Sequence, residues 1–284
     1  MKNEAHRTAI VYDFDGTLAP RNIQEHSFLP ELTDDVQAFW AEVKEQSRQH
    51  DSDEILIYMW RMLELARTKS HAITSETLKA HGKRTPLFSG VDSWFDRVNE
   101  YARARYLDVE HYVVSSGIQD MIEGCAVSRH FKKVYGSKFI YDSEGNAIWP
   151  GVAINYTTTT QYLFRINKDV PNHWDSERVN RWQPMKERPL PFTRMLYIGD
   201  GDTDIPSMKM VRLQGGFSVA VFDPEDWGAG KSQKKIYRLI SEDRAHFVSP
   251  ADYSPGSQLE VIVKGILGRF ARDVGYRGSD VHGV

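Results

Sequence analysis

The chain of 284 residues has a single cysteine, Cys125, which excludes an intramolecular disulfide and a thiolate metal cluster. Cys125 lies in the apolar stretch 122–127, where a free core thiol fits better than a nucleophile. Long hydrophobic runs are also missing. Nothing approaches the roughly 18 apolar residues of a membrane span, and the polar residues 1–7 lack the apolar segment of a secretory signal. A reducing cytoplasm is therefore the expected location, with no membrane partner. Nor is there an excess of one charge: 36 basic against 39 acidic residues leave a net charge of -3, so the basic footprint of a nucleic-acid binder is absent and no nucleic acid is expected as a partner. With 40% apolar and 26% charged residues, the composition is that of a globular chain able to form one large or two modest domains. It is silent on oligomeric state.

What is present is organised around Ala9-Ile10-Val11-Tyr12-Asp13-Phe14-Asp15-Gly16-Thr17. The apolar, β-branched start reads as a buried strand, and two carboxylates, a glycine and a hydroxyl fall where that strand must end. Asp13 and Asp15 are two apart, so extended backbone projects both to one side. There they repel unless a cation or a shared proton intervenes. Taken alone the segment is equally an acidic turn closed by Gly16, and the rest of the chain decides between the two.

Residues 18–110 show helical periodicity and no strand. Val36, Phe39, Trp40 and Val43 recur at three- and four-residue steps, and a wider apolar stripe follows over 54–69. Shorter helices are expected over 74–80 and 90–105, so the block reads as an all-helical insert. Strands return at 111–114 and 133–136, followed by a hairpin over 138–149. Residues 161–166 read as a short helix with threonines at its mouth, and 168–191 as an irregular surface excursion. Buried strands at 195–199, 217–221 and 246–248 alternate with helices ending near 211, 242 and 272, and the Gly-rich residues 275–284 are expected to be loose. Strands alternating with helices predict an α/β fold, a doubly wound parallel sheet covered on both faces.

In such a sheet ligands bind beyond the carboxyl ends of the strands. Three strands end in residues suited to that crevice: Asp13 and Asp15 after the first, Ser115 after the second, and Asp200, Asp202 and Asp204 after a third. So many carboxylates at one edge call for a hard divalent cation, and oxygen-only ligation favours Mg2+. The hydroxyl of Ser115 and the backbone N–H groups around Ser116 and Gly117 form a receptor for an anion.

These segments resemble the signature motifs of the haloacid dehalogenase superfamily: Asp13-Phe14-Asp15-Gly16-Thr17 is similar to the first, Val113-Val114-Ser115 to the second, and Gly199-Asp200-Gly201-Asp202-Thr203-Asp204 to the fourth. The resemblance covers the core, and the layout is similar to phosphoserine phosphatase-like members with a helical C1-type cap. It implies a Rossmann-like core from residues 1–17 and 111–284 and a cap from 18–110 that carries substrate contacts, with Arg21, His26, Arg61, Arg67 and Arg103 as candidates. By resemblance, Asp13 is the nucleophile that forms an aspartyl phosphate, and Asp15 is the general acid and base. Asp13, Asp15 through its carbonyl, Asp200 and Asp204 are the implied metal ligands, and Thr17, Ser115, Ser116 and Gly117 the implied phosphate-binding set. Dehalogenases lack the second acid and transport ATPases carry another residue there, so Asp15 points to phosphate esters. The implied activity is Mg2+-dependent hydrolysis of a small phosphorylated metabolite. Phosphotransfer or mutase chemistry on the same aspartate, or a catalytically impaired protein that binds metal and phosphate, are the alternatives.

One motif departs from the family pattern. Where the superfamily has a Lys or Arg at the start of a helix, this chain has Thr158, Thr159 and Thr160. The expected substitutes are Lys168, roughly 12 Å along that helix at about 1.5 Å per residue, or Lys186 or Arg188 in the irregular excursion.

Overall fold

The computed structural model describes residues 5–201, 203–227 and 231–276. The elements follow the apolar periodicities in chain order. β1 (His6–Tyr12) leads into five helices, α1 (Leu29–Leu32), α2 (Val36–His50), α3 (Glu54–Thr68), α4 (Ser75–Gly82) and α5 (Val91–Arg103). Then come β2 (Leu107–Ile118), α6 (Gln119–Gly124), β3 (Phe131–Tyr141), β4 (Ala147–Val152), α7 (Thr159–Lys168) and α8 (Ser176–Asn180). β5 (Met195–Gly199), α9 (Ile205–Leu213), β6 (Phe217–Phe222), α10 (Lys231–Ser241), β7 (Phe247–Pro250) and α11 (Gln258–Asp273) complete the series. Short polar side chains start the helices. Asp35 accepts from Ala38 N, Asp53 from Ile55 N and Leu56 N, and Thr74 and Thr77 form a reciprocal capping box. Among the described residues no helix is long and apolar enough to cross a membrane.

The seven strands lie in the order β4-β3-β2-β1-β5-β6-β7, parallel except for the β3–β4 pair. β1 is flanked by β2 and β5, so the winding reverses at its carboxyl end, which is the position where an open α/β sheet forms its crevice. Register brings three chain segments out together, because Tyr12 is level with both Val113 and Ile198. Asp13, Ser115 and Asp200 thus leave the sheet at one edge, each one or two residues later. Alternate residues face opposite layers. Ile10, Tyr12, Val113 and Ile198 pack toward α5 and α11, and Val11, Tyr112, Val114 and Tyr197 toward α7 and α9. Phe39, Val43, Met59 and Met62 of the helical block belong to the same core as Ile10 and Tyr12, so the block buries its apolar stripe on the sheet layer.

Several elements differ from their sequence expectation. α5 stacks on the sheet: Trp94 Nε1 donates to Tyr12 Oη at 3.0 Å, and Arg97 Nε pairs with Glu260 of α11 at 2.9 Å. β2 continues through Ser115, Ser116 and Gly117, beyond the strand expected at 111–114, because its pairing with β3 slips there without ending. The strand at 133–136 and the first arm of the hairpin are one long strand, β3, and the excursion 168–191 contains the short α8. Asp202 and residues 277–284 of the expected loose tail lie outside the described residues.

Beneath the crevice a closed polar chain crosses the core. Tyr12 Oη donates to His111 Nδ1 at 3.0 Å, and His111 Nε2 donates to Asn99 Oδ1 at 3.0 Å. Burial, with a smaller contribution from His130, pushes the His111 imidazole down to about 3. The ring is thus neutral when folded, whereas in the unfolded chain it titrates near 6.5. Below that pH the unfolded chain binds the extra proton, so stability falls as pH falls. We expect wild type to lose about 1.4 kcal/mol per pH unit between pH 6 and 4 from this residue; urea melts of wild type and His111→Gln, whose pH slope should be shallower, check it.

Glycines set the approach of α4 to α6, the helix that follows Ser115. A Cβ on Gly82 would stand 1.9 Å from Met121 O, and one on Gly124 2.2 Å from Lys79 O. A helical Gly→Ala change gains up to about 1 kcal/mol of propensity, but overpacking against backbone costs about 1–3 kcal/mol, so the clash decides the sign. Gly82→Ala should destabilise by roughly 1–2 kcal/mol. Gly265→Ala, at an exposed position of α11 with nothing within 4 Å, should stabilise by about 0.5–1 kcal/mol in the same denaturant titration.

Candidate active site

Immediately after β1 the chain folds back on itself. Phe14 O accepts from Thr17 N, Leu18 N and Ala19 N at 3.2, 2.9 and 3.1 Å, and Gly16 N donates to Ala19 O at 2.7 Å. Gly16 takes φ +73°, and a Cβ there would lie 3.2 Å from Asp200 Cβ, so a side chain is barred by both conformation and space. This tight loop separates the two acids. Asp13 stays in line with the sheet, its N–H donating to Ile198 O at 2.9 Å. Asp15 turns away, and its Oδ1 accepts from Ile23 N at 2.8 Å.

The second segment is a widened bulge. Between Val114, paired with Tyr135, and Ile118, paired with Ser137, β2 uses four steps where β3 uses two. The extra residues leave the ladder at Ser115, Ser116 and Gly117. Ser115 is buried and its Oγ accepts from Gly117 N at 3.2 Å. A Cβ on Gly117 would sit 3.1 Å from Asp15 Oδ2 and 3.5 Å from Ser115 Oγ, which places this loop directly against the second acid. The helical block reaches the same place: Tyr58 of α3 donates its hydroxyl to Ser116 O at 2.8 Å.

At the third segment Gly199 has no room for a side chain, since a Cβ would be 2.3 Å from Asp204 Oδ2. Tyr197 Oη donates to Asp204 Oδ1 at 2.6 Å, and Gly201 N to Oδ2 at 3.3 Å. One oxygen each from Asp13, Asp200 and Asp204 lie within 4.8 Å of one another. Burial, then the charges of Asp204, Asp15 and Asp200, hold the Asp13 carboxyl well above the usual carboxylate range. Burial and Asp200 bring Asp204 up to about 7. The trio, with Asp13 and Asp204 buried and Asp200 partly exposed, could hold a hard cation such as Mg2+. The donor set is all carboxylate, as a hard cation prefers.

The Asp15 carboxylate stands outside that trio. Enclosure raises it to about 8, with Glu25 and Asp200 adding to the shift against the Ile23 N–H. Thr17, of the implied phosphate-binding set, is fully buried; its Oγ1 makes no hydrogen bond among the described residues, and its carbonyl accepts from Tyr253 Oη at 2.8 Å.

The expected substitutes for the threonine-run cation are elsewhere. Lys168 closes α7, where its Nζ donates to Val179 O at 2.6 Å and Arg181 O at 2.8 Å. The next residue, Asp169, pairs with Arg7 at the start of β1, so Lys168 is at the opposite end of the sheet from Asp13. Arg188 donates to Asn167 Oδ1 at 3.0 Å, and Lys186 lines a hollow with Arg194, both at that same far end. At the threonine run itself, Thr159 Oγ1 accepts from Ser207 Oγ at 2.9 Å.

A cation that the sequence did not disclose stands at the carboxylates. Lys235 Nζ is 2.8 Å from Asp200 Oδ2. Its signal was helical spacing: Leu239, four residues on, packs on Gly201 and turns the same face of α10 to the acidic loop. Asp200 and Lys235 line a cleft of about 900 Å3 together with Gly16, Arg21, His26 and Arg238. Arg61 pairs instead with Glu42 and Glu64, and Arg67 reaches Ile148 O, so neither faces that cleft.

The profile of the haloacid dehalogenase-like hydrolase family matches residues 10–209. An uncharacterised protein of Borreliella burgdorferi is 26% identical over 286 aligned positions, 91% of this chain and 96% of the relative. A hydrolase of the same family from Salmonella enterica serovar Typhi shares the fold with a TM-score of 0.55 at 14% identity, over 93% of this chain and 72% of its own. A substrate-bound phosphoserine phosphatase gives 0.53 at 15% identity, over 93% of this chain and all (100%) of its own. The acids at the ends of β1 and β5, the bulged segment after Val114 and the matched span lead to one assignment: the chain belongs to the haloacid dehalogenase-like hydrolase family.

Proposed function

We propose that the protein is a Mg2+-dependent phosphatase that hydrolyses a small phosphomonoester through an aspartyl phosphate on Asp13. One observation carries the reading: Asp13 belongs to the carboxylate trio, while Asp15 stands beside it, outside the trio, on the loop that contains Gly16. A bound Mg2+ held by Asp13, Asp200 and Asp204 would neutralise the repulsion between carboxylate and phosphate. The protein's residues do the rest. An Asp13 oxygen bonds to phosphorus as the ester P–O bond breaks, and Asp15 gives its proton to the departing alcohol oxygen. Water then attacks phosphorus, gives its proton to Asp15, and the bond to Asp13 breaks to release inorganic phosphate. The raised carboxyl of Asp15 suits it to start protonated at neutral pH.

Ser115 Oγ and the backbone N–H groups of the Ser116–Gly117 bulge would hold the phosphate oxygens, the Gly117 N–H exchanging its 3.2 Å bond to Ser115 Oγ for one to phosphate. The cleft, lined by Arg21 and Arg238 as well as Asp223 and Glu225, suits a small, charged, phosphorylated metabolite. In this reading residues 1–17 and 111–284 carry the chemistry and the insert 18–110 covers it, with α5 serving the sheet layer; the buried free thiol of Cys125 agrees with a reducing cytoplasm.

Asp13→Asn should abolish Mg2+-dependent phosphate release from aryl and alkyl phosphomonoesters while leaving the fold intact. Asp15→Asn should lower kcat by about 10²–10⁴-fold, the usual contribution of a general acid or base. Undiminished turnover in Asp13→Asn overturns the mechanism, and transfer to an added polyol in place of water would make the protein a phosphotransferase. Calorimetry adds a check on the metal: at 100 times its Kd, Mg2+ should stabilise wild type by about 2.7 kcal/mol, a gain that chelation or Asp200→Asn removes.

A further inference from the structure

We infer that Lys235 is the fixed cation of this active site and binds an oxygen of the transferring phosphoryl group. The inference rests on the phosphatase reading for its chemistry and on α10 for its geometry. Four carboxylates, Asp13, Asp15, Asp200 and Asp204, converge at the ends of β1 and β5. Any phosphate attacked by Asp13 adds further negative charge among them. The threonine run at the mouth of α7 offers hydroxyls only, and Lys168, Lys186 and Arg188 are at the other end of the sheet.

Lys235 is placed from the opposite direction in sequence, by α10, the helix between β6 and β7. Leu239 wedges against Gly201, with its Cδ1 2.9 Å from where a Cβ would stand, and this contact fixes the inner face of α10. One turn earlier on that face, the Lys235 ammonium is 2.8 Å from Asp200 Oδ2, and it also draws on Asp204 by charge. The side chain keeps about a fifth of its surface exposed, 20%, and that surface lines the 900 Å3 cleft next to Gly16 and Asp200. An ammonium carries three donors in different directions, so a lysine held at a carboxylate can also share itself with an oxygen arriving from the cleft. Charge-assisted bonds to phosphate are the strong class, and a positioned donor to developing negative charge contributes to the transition state more than to the ground state.

The test compares wild type, Lys235→Met and Lys235→Arg with Mg2+ present throughout, by steady-state hydrolysis of a phosphomonoester and by calorimetric titration of Mg2+ and then of inorganic phosphate. Lys235→Met should lower kcat/KM by about 10²-fold or more, the scale of one lost donor, and weaken phosphate binding at least about tenfold. Mg2+ affinity should stay equal or rise, because removing a positive charge leaves the trio more negative, and Lys235→Arg should recover part of the loss. A merely structural ion pair would instead move the melting temperature and Mg2+ affinity with no selective effect on phosphate. Equal phosphate affinity in wild type and Lys235→Met, or parallel loss of Mg2+ and phosphate, overturns the inference. The two readings separate cleanly: wild type that hydrolyses no ester yet binds phosphate through Lys235 removes the phosphatase and keeps the cation. Hydrolysis unaffected by Lys235→Met keeps the phosphatase and removes the cation.

Discussion

The structure depends on one constraint, the confinement of like charges at the carboxyl ends of the adjacent strands β1 and β5. Asp13, Asp200 and Asp204 hold oxygens within 4.8 Å of one another in a place where Asp13 and Asp204 are almost shut off from water. In that setting ionised carboxylates repel and lose hydration together, which pushes the Asp13 and Asp204 carboxyls above the usual carboxylate range. The surrounding residues follow from this. Gly16 and Gly199 let the backbone crowd the acids, a notional Cβ standing 3.2 Å from Asp200 at Gly16 and 2.3 Å from Asp204 at Gly199. Tyr197, level with Val11 inside the sheet, gives Asp204 a hydroxyl that keeps one of its oxygens oriented.

The same constraint explains why the two acids of the first segment have different surroundings. A strand continued past Asp13 would carry Asp15 to the same side, two residues on. The loop closed on Phe14 O turns it out of the trio, and Ile23 N and Gly117 then define its position. The different surroundings of the two acids are thus made by three backbone hydrogen bonds and one glycine. The helical block joins this arrangement through Tyr58 to Ser116 O and through Asp53 to Asn155, so it is tied both to the β2 bulge and to the segment before α7.

How much of this the sequence discloses depends on the range of the interaction that decides each feature. Asp13, Asp15, Ser115, Asp200 and Asp204 are legible because each ends a short apolar run, and a parallel α/β sheet brings such ends together. Helices α2, α3 and α11 are legible from their stripes and caps. The β2 bulge is not, since a strand carries no local mark of how its partner is registered, and the slip between Val114 and Ile118 exists only relative to β3. α5 has the strong apolar periodicity of the block before it, so its amphipathicity cannot say that it stacks on Tyr12 in place of closing the cap. Lys168 follows from helix counting, but α7 runs away from the site, and counting along an axis carries no direction in the fold.

Lys235 is the clearest case of a residue hidden by its company. Lys231, Lys234 and Lys235 in a polar helix read as solubilising charge, and an ion pair with about a fifth of each side chain exposed adds little stability, about 0–1 kcal/mol. Its meaning is positional. A lysine held by a helix before the acidic strand would be fixed by the sheet itself, whereas α10 rests on the acidic loop through Leu239 and shows solvent Tyr237 and Ile240 on its outer side. The positive charge is therefore set by the same loop that carries Asp200 and Asp204.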